Sequence, residues 1–307
     1  MMQNTVTIVI PTFHRPDRIL RAVESCEKQT MKHQIIVVDD NGKETLQQKE
    51  TEQKLTSLIE QGIVIYLIND HNSGASFSRN RGLEIAEGEF ITFLDDDDEI
   101  APEKLRKQAY LLNQLGPEYT CCCCDYHKLL TGGKVYCSGE DAQGAVYPYA
   151  LARVIYNGSG SNLLARTDAA RKIGGYDIRF AKRQDMEFMA RLLKQGKLAW
   201  LKEDLLTIHY EIRENKLTYE GLRKADEFWI DVFRPEIDAL PEKQKKAVYD
   251  SLALERWRYS IQRHEQKDAI ANMKKYDVSF LVWLHYVWYL IQRILRKRSY
   301  GFKLVRL

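Results

Sequence analysis

The segment "GEFITFLDDDDEI", residues 88–100, is an apolar run that stops abruptly in four aspartates and a glutamate. Its first half is short, aromatic or β-branched and nearly continuous in apolar character, which predicts a strand buried on both faces of a largely parallel sheet. Three earlier segments share that character: "TVTIVIP" (5–11), "QIIVVDD" (34–40) and "IVIYLIN" (63–69). Helical patterns separate them. Residues 16–30 open on Pro16 and place Ile19, Leu20, Val23 and Cys26 on one stripe, and "GASFSRNRGLEIA" (74–86) is entered through Gly74. Strands and helices in this alternation imply right-handed crossovers, with functional loops at the carboxyl ends of the strands. The acids fall there: Asp39 and Asp40 close the second strand, Asp95 to Asp98 the fourth.

Four adjacent carboxylates raise one another's pKa unless a cation sits among them. A solvated acidic loop capping the helix near Pro102 is one reading. An EF-hand loop is excluded, because counting from Asp95 puts Ile100 where glycine is needed and Arg106 where glutamate is needed. The third reading is a divalent ion held by one or two carboxylates and completed by a ligand's phosphates.

The chain of 307 residues has room for one large α/β domain with an appendage, or for two domains. Residues 293–307 carry six basic side chains and no acid, which leaves the rest of the chain at −3 and argues against a nucleic-acid groove on the main body. The opening "MMQNTVTIVIPTFHRP" lacks the basic and apolar regions of a signal peptide, so a cytoplasmic location is expected. Four of the six cysteines are adjacent, Cys121 to Cys124, and in a strand they point alternately to opposite faces. Buried packing cysteines are expected ahead of a zinc site built from Cys121, Cys124, His127 and Cys137.

Beyond residue 100 the pattern is mixed. A helix (102–115) leads into a hairpin turned at Gly132 and Gly133, then a strand at 161–167 and a helix at 185–196 closed by Gly196. After about residue 212 the chain reads as helical and rich in Lys, Arg and Glu.

The ordered blocks "VTIVIPTFHRP", "IIVVDDNG", "GASFSRNRGLEIAEGEFITFLDDDD", "IGGYD" and "RQDMEFMARLL" resemble the family 2 glycosyltransferases. The resemblance covers about the first two thirds of the chain. It implies a GT-A fold, a mostly parallel Rossmann-like sheet with helices on both faces, spanning residues 1–212, with a helical C-terminal region at 213–307. It also implies that Pro11 and Thr12 line the base and ribose pocket, that Asp40 hydrogen-bonds the uracil while Asp39 orders the loop, and that Arg79 and Asn80 place the nucleotide end of the crevice. The family's DxDD motif falls on Asp95, Asp97 and Asp98. Asp95 would face the ribose, with Asp96 in the variable slot beside the nucleotide sugar, and Asp97 would bind Mn²⁺ or Mg²⁺ bridging the diphosphate of a UDP-sugar.

Cleaving the sugar–diphosphate bond leaves negative charge on UDP that a divalent ion stabilises, and the acceptor hydroxyl needs a placed carboxylate to take its proton. The family's base is the aspartate of an "ED" pair; this sequence has Gln184 and Asp185, departing at the first position and keeping the second. Asp185 is therefore the expected base, against the plainer role of a helix N-cap. Gly174 and Gly175 would supply a tight turn, and Asp177 either contacts the acceptor or holds that turn. His209 lies where relatives carry a residue reaching the diphosphate or the metal; the other reading is a satisfied histidine on an apolar strand.

Residues 278–291 are nearly all apolar but shorter than the ~20 needed to span a bilayer. Their Trp and Tyr residues and the basic cluster that follows suit an anionic membrane surface, so residues 278–307 are expected either as a peripheral anchor or as a helix packed on protein. With these features, the resemblance implies an inverting, metal-dependent transferase moving a hexose or N-acetylhexosamine from a UDP-sugar to a glycan or lipid-linked oligosaccharide. A pyrophosphorylase would need a Gly-rich phosphate loop after the first strand, which "IPTFHRP" lacks. A phosphatase would carry its DxD on the first strand rather than the fourth. A binder or assembly scaffold without turnover is the reading from another class, and the intact Asp185 and DxDD speak against it.

Overall fold

The computed structural model describes residues 5–210 and 218–304. The chain runs β1 (Val6–Thr12), α1 (Ile19–Glu27), β2 (His33–Asp39), α2 (Leu46–Glu60), β3 (Val64–Ile68), α3 (Ala75–Glu84) and β4 (Phe90–Phe93). It continues through β5 (Glu99–Ile100), α4 (Lys104–Leu115), β6 (Tyr119–Leu130), β7 (Val135–Ser138), α5 (Tyr147–Leu151), β8 (Leu164–Arg166), α6 (Thr167–Lys172), α7 (Gln184–Gln195) and β9 (Lys197–Tyr210). Four helices follow, α8 (Tyr219–Asp238), α9 (Glu242–Gln262), α10 (Gln266–Lys275) and α11 (Phe280–Arg296), and then the short β10 (Arg298–Ser299). The expected domain boundary at 212/213 lies outside the described residues.

Strands β3, β2, β1 and β4 pair in parallel, as their continuous apolar runs imply. The second half of the sheet is mixed: β8 is antiparallel to β4 and β6, whereas β9 runs parallel along β6 from Tyr119 to Leu130. The two-residue β5 pairs antiparallel with β9, Glu99 opposite Thr207, which fixes the last acids of the quoted stretch against that long strand.

Alternation along the strands sorts side chains between two apolar clusters. Ile8, Ile10, Ile35 and Val37 face a cluster with Val23, Leu55 and Leu105, from α1, α2 and α4. Val9, Ile36, Val38 and Phe93 face the other, with Leu83 of α3, Phe188 of α7 and Trp229 and Phe233 of α8. The four adjacent cysteines obey the same rule: Cys121 and Cys123 belong to one cluster, Cys122 and Cys124 to the other. All four are fully buried, and burial pushes their thiols up, so they act as core side chains. At the crossing of α3 over β1, a Cβ on Gly82 would come 2.3 Å from Val9 Cγ1, so that close approach requires glycine.

α11 has two unlike faces. Tyr286 and Tyr289 are buried with Leu254 and Phe302, while Phe280, Leu281, Leu284, Trp288, Ile291 and Leu295 are exposed. Among the described residues no helix is long and apolar enough to cross a membrane. Past α11, β10 pairs in parallel with β7, and the buried carboxylate of Glu140 accepts hydrogen bonds from the backbone N–H groups of Asp141, Ala142, Tyr156 and Gly301, and pairs with Lys303 at 2.5 Å.

Candidate active site

A cavity of roughly 380 Å³ opens at the carboxyl ends of β1, β2 and β4, where loops gather in an open α/β sheet. Pro11, Thr12, Asp40, Arg79, Asp95, Asp96, Asp97 and Asp185, separated by up to 174 positions in the chain, all line it. Phe13, Arg15, Asn72, Gly74, Ala75 and Gln184 complete the lining. α1 starts at Ile19 rather than at Pro16, and the turn before it aims Arg15 and Arg18 at Asp97.

The aspartates divide their partners. Asp96 accepts from Thr12 Oγ1 at 2.8 Å and from Arg15 Nη1 at 2.9 Å, and the same Arg15 nitrogen reaches Asp97 at 2.5 Å. Asp95 pairs with Arg79 Nη2 at 2.7 Å. Asp98 is buried and accepts from the hydroxyls of Ser159 and Ser161 at 2.7 and 2.6 Å; burial, then the charge of Asp95, pushes its carboxyl up to about 7. Oxygens of Asp95, Asp97 and Asp98 lie within 4.8 Å of one another. This all-carboxylate donor set fits a hard divalent ion such as Mg²⁺ or Mn²⁺, which keeps places for water or phosphate oxygens. His209 stands outside that group: its Nε2 meets Glu99 Oε1 at 2.6 Å, and its backbone N–H points to Asp98 at 3.3 Å.

Asp185 sits in the first turn of α7, after Arg183 in a left-handed conformation. Its Oδ1 lies 3.9 Å from Arg79 Nη1 and has no hydrogen-bond partner among the described residues. Burial raises the Asp185 carboxyl, and Arg79 opposes that rise. The Arg79 guanidinium is buried over the Tyr176 ring, 5.2 Å from its centroid, and Tyr176 stacks in turn on Phe188 at 4.2 Å. One buried cation thus stands between the aspartate cluster and Asp185, whose Oδ1 is itself buried on the side of Arg79.

Asp40 lines the cavity and also holds its rim, accepting from Asn69 Nδ2 at 2.6 Å and from the N–H groups of Ser73 and Gly74, both at 2.8 Å. A carboxylate has about four acceptor positions, so one is left for a ligand. Asp39 accepts from Asn41 N and Tyr66 Oη, a loop-ordering role. Asn80 is not among the residues that line the cavity: its amide accepts from the backbone N–H of Tyr176 at 2.7 Å and donates to its carbonyl at 2.8 Å, which fixes the glycine turn. Asp177 holds the same turn through the backbone and side chain of Arg179. The sequence reading did not find Arg15, Phe13 or Asn72. Arg15 carried one signal, a cation four residues beyond Pro11 at the end of a strand adjacent to the acidic one.

Comparison with known proteins follows this geometry. The profile of "Glycosyl transferase family 2" matches residues 7–174, more than half of the chain. The chain is similar to the amylovoran biosynthesis glycosyltransferase AmsB of Erwinia amylovora, 23% identical over 301 residues, covering 89% of this chain and 96% of that one. It is also similar to the GalNAc(5)-diNAcBac-PP-undecaprenol beta-1,3-glucosyltransferase of Campylobacter jejuni, 36% identical over 96 residues, 31% of this chain and 30% of that protein. Two other bacterial relatives are matched over 48% and 62% of their own length. Among solved structures, S. aureus TarS 1-349 in complex with UDP-GlcNAc superposes with a TM-score of 0.66 at 18% identity, covering 89% of this chain and 80% of that one. The likeness extends to the GT-A architecture of sheet, helices and helical C-terminal region.

Proposed function

The chain belongs to glycosyl transferase family 2, and from that premise we propose that it moves a hexose or N-acetylhexosamine from a UDP-sugar to a hydroxyl of a glycan or lipid-linked oligosaccharide, with inversion at the anomeric carbon. The observation that carries this reading is the convergence of Asp95, Asp97 and Asp185 on one cavity with Arg79 between them. The UDP-GlcNAc complex of TarS supports the donor class, and the name of the Campylobacter relative supports a diphosphate-linked polyprenol among acceptors.

In this proposal Pro11, Thr12 and Asp40 bind the base and ribose, and Asp95 and Asp96 lie against the nucleotide sugar. A divalent ion, Mn²⁺ or Mg²⁺, held by Asp97 with Asp95 and Asp98, would offset the charge on the departing diphosphate. The Asp185 carboxylate, whose side chain is partly exposed in the lining of the cavity, takes the proton from the acceptor hydroxyl as that oxygen attacks. Arg79 orients Asp185 and fixes Asp95 relative to it. Asn80 acts one layer out, holding the turn at Tyr176. His209 contributes through Glu99 and the backbone contact to Asp98 rather than by direct ligation.

The exposed apolar face of α11, followed by Arg296, Lys297 and Arg298, supports peripheral attachment to an anionic membrane, the side from which a lipid-linked acceptor would arrive. Co-sedimentation with phosphatidylglycerol vesicles, lost in Leu281→Glu/Trp288→Glu, tests that attachment; retention in the variant would refute it. The transfer reading is tested by UDP release from a panel of UDP-sugars with Mn²⁺ present or chelated. Metal-dependent release from one donor, abolished by Asp97→Ala, is expected, and absence of both binding and release for every donor would refute it.

A further inference from the structure

A second cavity, of roughly 410 Å³, lies between β6, β7, α9 and α11. Four cations line it, Lys128, Arg258, Arg293 and Arg298, and among the described residues no carboxylate does. Their pairing is incomplete. Among the described residues, Lys128 Nζ donates to the carbonyl of Gly158, at 3.0 Å. Arg293 stacks on Tyr156 at 4.6 Å and donates to Tyr289 Oη at 3.0 Å, both neutral groups. Arg258 approaches Glu255 only to 4.0 Å and has a buried Nε without a partner, while Glu255 is committed to Arg153 at 2.9 Å. No ion pair involves Arg298 among the described residues. Lys128, Arg258 and Arg293 are partly buried and, among the described residues, lack a close carboxylate; such cations are costly, and an anion from outside removes that cost.

Two further features narrow the anion. The lining between the cations is aromatic and aliphatic, with Tyr136, Leu290 and Ile294. Ile294 is also exposed and continues into the apolar face of α11 formed by Leu284, Trp288 and Ile291. A short turn links the cavity to the catalytic site: Gly158, whose carbonyl accepts from Lys128, precedes Ser159, whose hydroxyl donates to Asp95 and Asp98.

We propose that this cavity binds the diphosphate of a lipid-linked acceptor, with the lipid leaving along the apolar face of α11. The inference rests on the acceptor class proposed above and adds the site that would hold it. Arg258 and Arg293 supply planar donors for phosphate oxygens, and Lys128 supplies a point charge beside the turn that carries Ser159 to the aspartate cluster. The acceptor's sugar then extends toward Asp185 while its charged link stays outside the donor pocket.

The test is equilibrium binding of farnesyl diphosphate, inorganic diphosphate and dihexanoyl-phosphatidylglycerol to the full chain, wild type and Lys128→Gln/Arg298→Gln. UDP binding with Mn²⁺ is measured in parallel as a check on the fold and the donor cavity. Farnesyl diphosphate is expected to bind tightest, and ~10-fold or more weakly in the double variant, the loss expected when charge-assisted contacts go, with UDP binding unchanged. Arg298→Glu alone, at an exposed position, is expected to act in the same direction. Unaltered farnesyl diphosphate binding in these variants would overturn the proposal. Equal binding of inorganic diphosphate would replace it with a free anion site, and equal binding of the phosphatidylglycerol with a phospholipid headgroup site. Farnesyl diphosphate binding by a wild type that binds no UDP would support the acceptor cavity while removing the donor assignment.

Discussion

A Cβ on Gly160 would stand 2.6 Å from Oδ1 of Asp185, so these residues touch only because one of them has no side chain. Gly160 lies in the turn that carries Ser159 and Ser161 to Asp98, so one glycine sets the distance between the aspartate cluster and the proposed base. Gly160→Ala is expected to push Asp185 aside and lower kcat about 100-fold, the scale of an ångström-sized misplacement. UDP affinity should stay within a few fold, and steady-state kinetics with UDP titration checks the split.

Asp185→Asn removes the proton acceptor and keeps the shape. A fall in kcat of roughly 10²–10⁴ is expected with donor binding intact. In the wild type, burial raises this carboxyl, and a base works only when deprotonated. Activity is therefore expected to decline toward acid through a pH above the ordinary carboxylate range, and a kcat/KM profile reads that limb directly.

Arg15 bridges Asp96 and Asp97 through one nitrogen. With Arg15→Gln the two carboxylates lose their shared cation, so the metal-free protein should be less stable by about 1–3 kcal/mol. Adding Mn²⁺ should recover more stability in the variant than in the wild type. Urea midpoints with Mn²⁺ and with chelator measure both effects.

Arg153 and Asp226 pair at 2.6 Å with side chains 1% and 2% exposed, joining the segment after α5 to α8. Arg153→Met strands a buried carboxylate partly served by Arg183 at 2.7 Å, and a loss approaching the ~3–5 kcal/mol of a broken buried pair is expected. Arg153→Met/Asp226→Leu should recover much of it in denaturant unfolding.

Lys128 is lowered to about 8, by burial first and by Arg293 in addition, with Asp98 acting the other way. Between about pH 8 and its ordinary value near 10.5, the unfolded chain holds a proton that the folded chain has shed. Stability from this group therefore rises with pH across that window. Lys128→Met should flatten the slope, which urea unfolding at pH 7.5 and about 9.5 detects.

The readable parts of the sequence were those where one local pattern carries the information. The four apolar runs and the acids at their ends gave the parallel half of the sheet, because a strand buried on both faces has few alternatives. Asp97, Asp95 and Asp185 were visible as acids at ordered motif positions. Arg15 and Asn72 were not, because a loop residue joins a cavity only through three-dimensional closure, and no period marks it. The contacts of Asn80 were not legible for a related reason: its motif position fixes its place on α3 but not which way its amide turns, and the Tyr176 backbone pairs with both of its polar atoms. The tail was legible as amphipathic, but which aromatics it buries depended on Leu254 and Phe302, one of them 35 positions from Tyr289.

The buried carboxylate of Glu140 gathers segments that leave the ribosome at very different times. At usual elongation rates Lys303 appears roughly 10–30 s after Glu140. Throughout that interval the nascent chain holds an acid in its interior without its countercharge, and β7 has one edge uncovered. Gly301 and Lys303 thus close the Glu140 pocket late in synthesis: a chain stopped shortly before Lys303 carries every residue of the catalytic cavity and is expected to leave Glu140 to be hydrated or chaperoned.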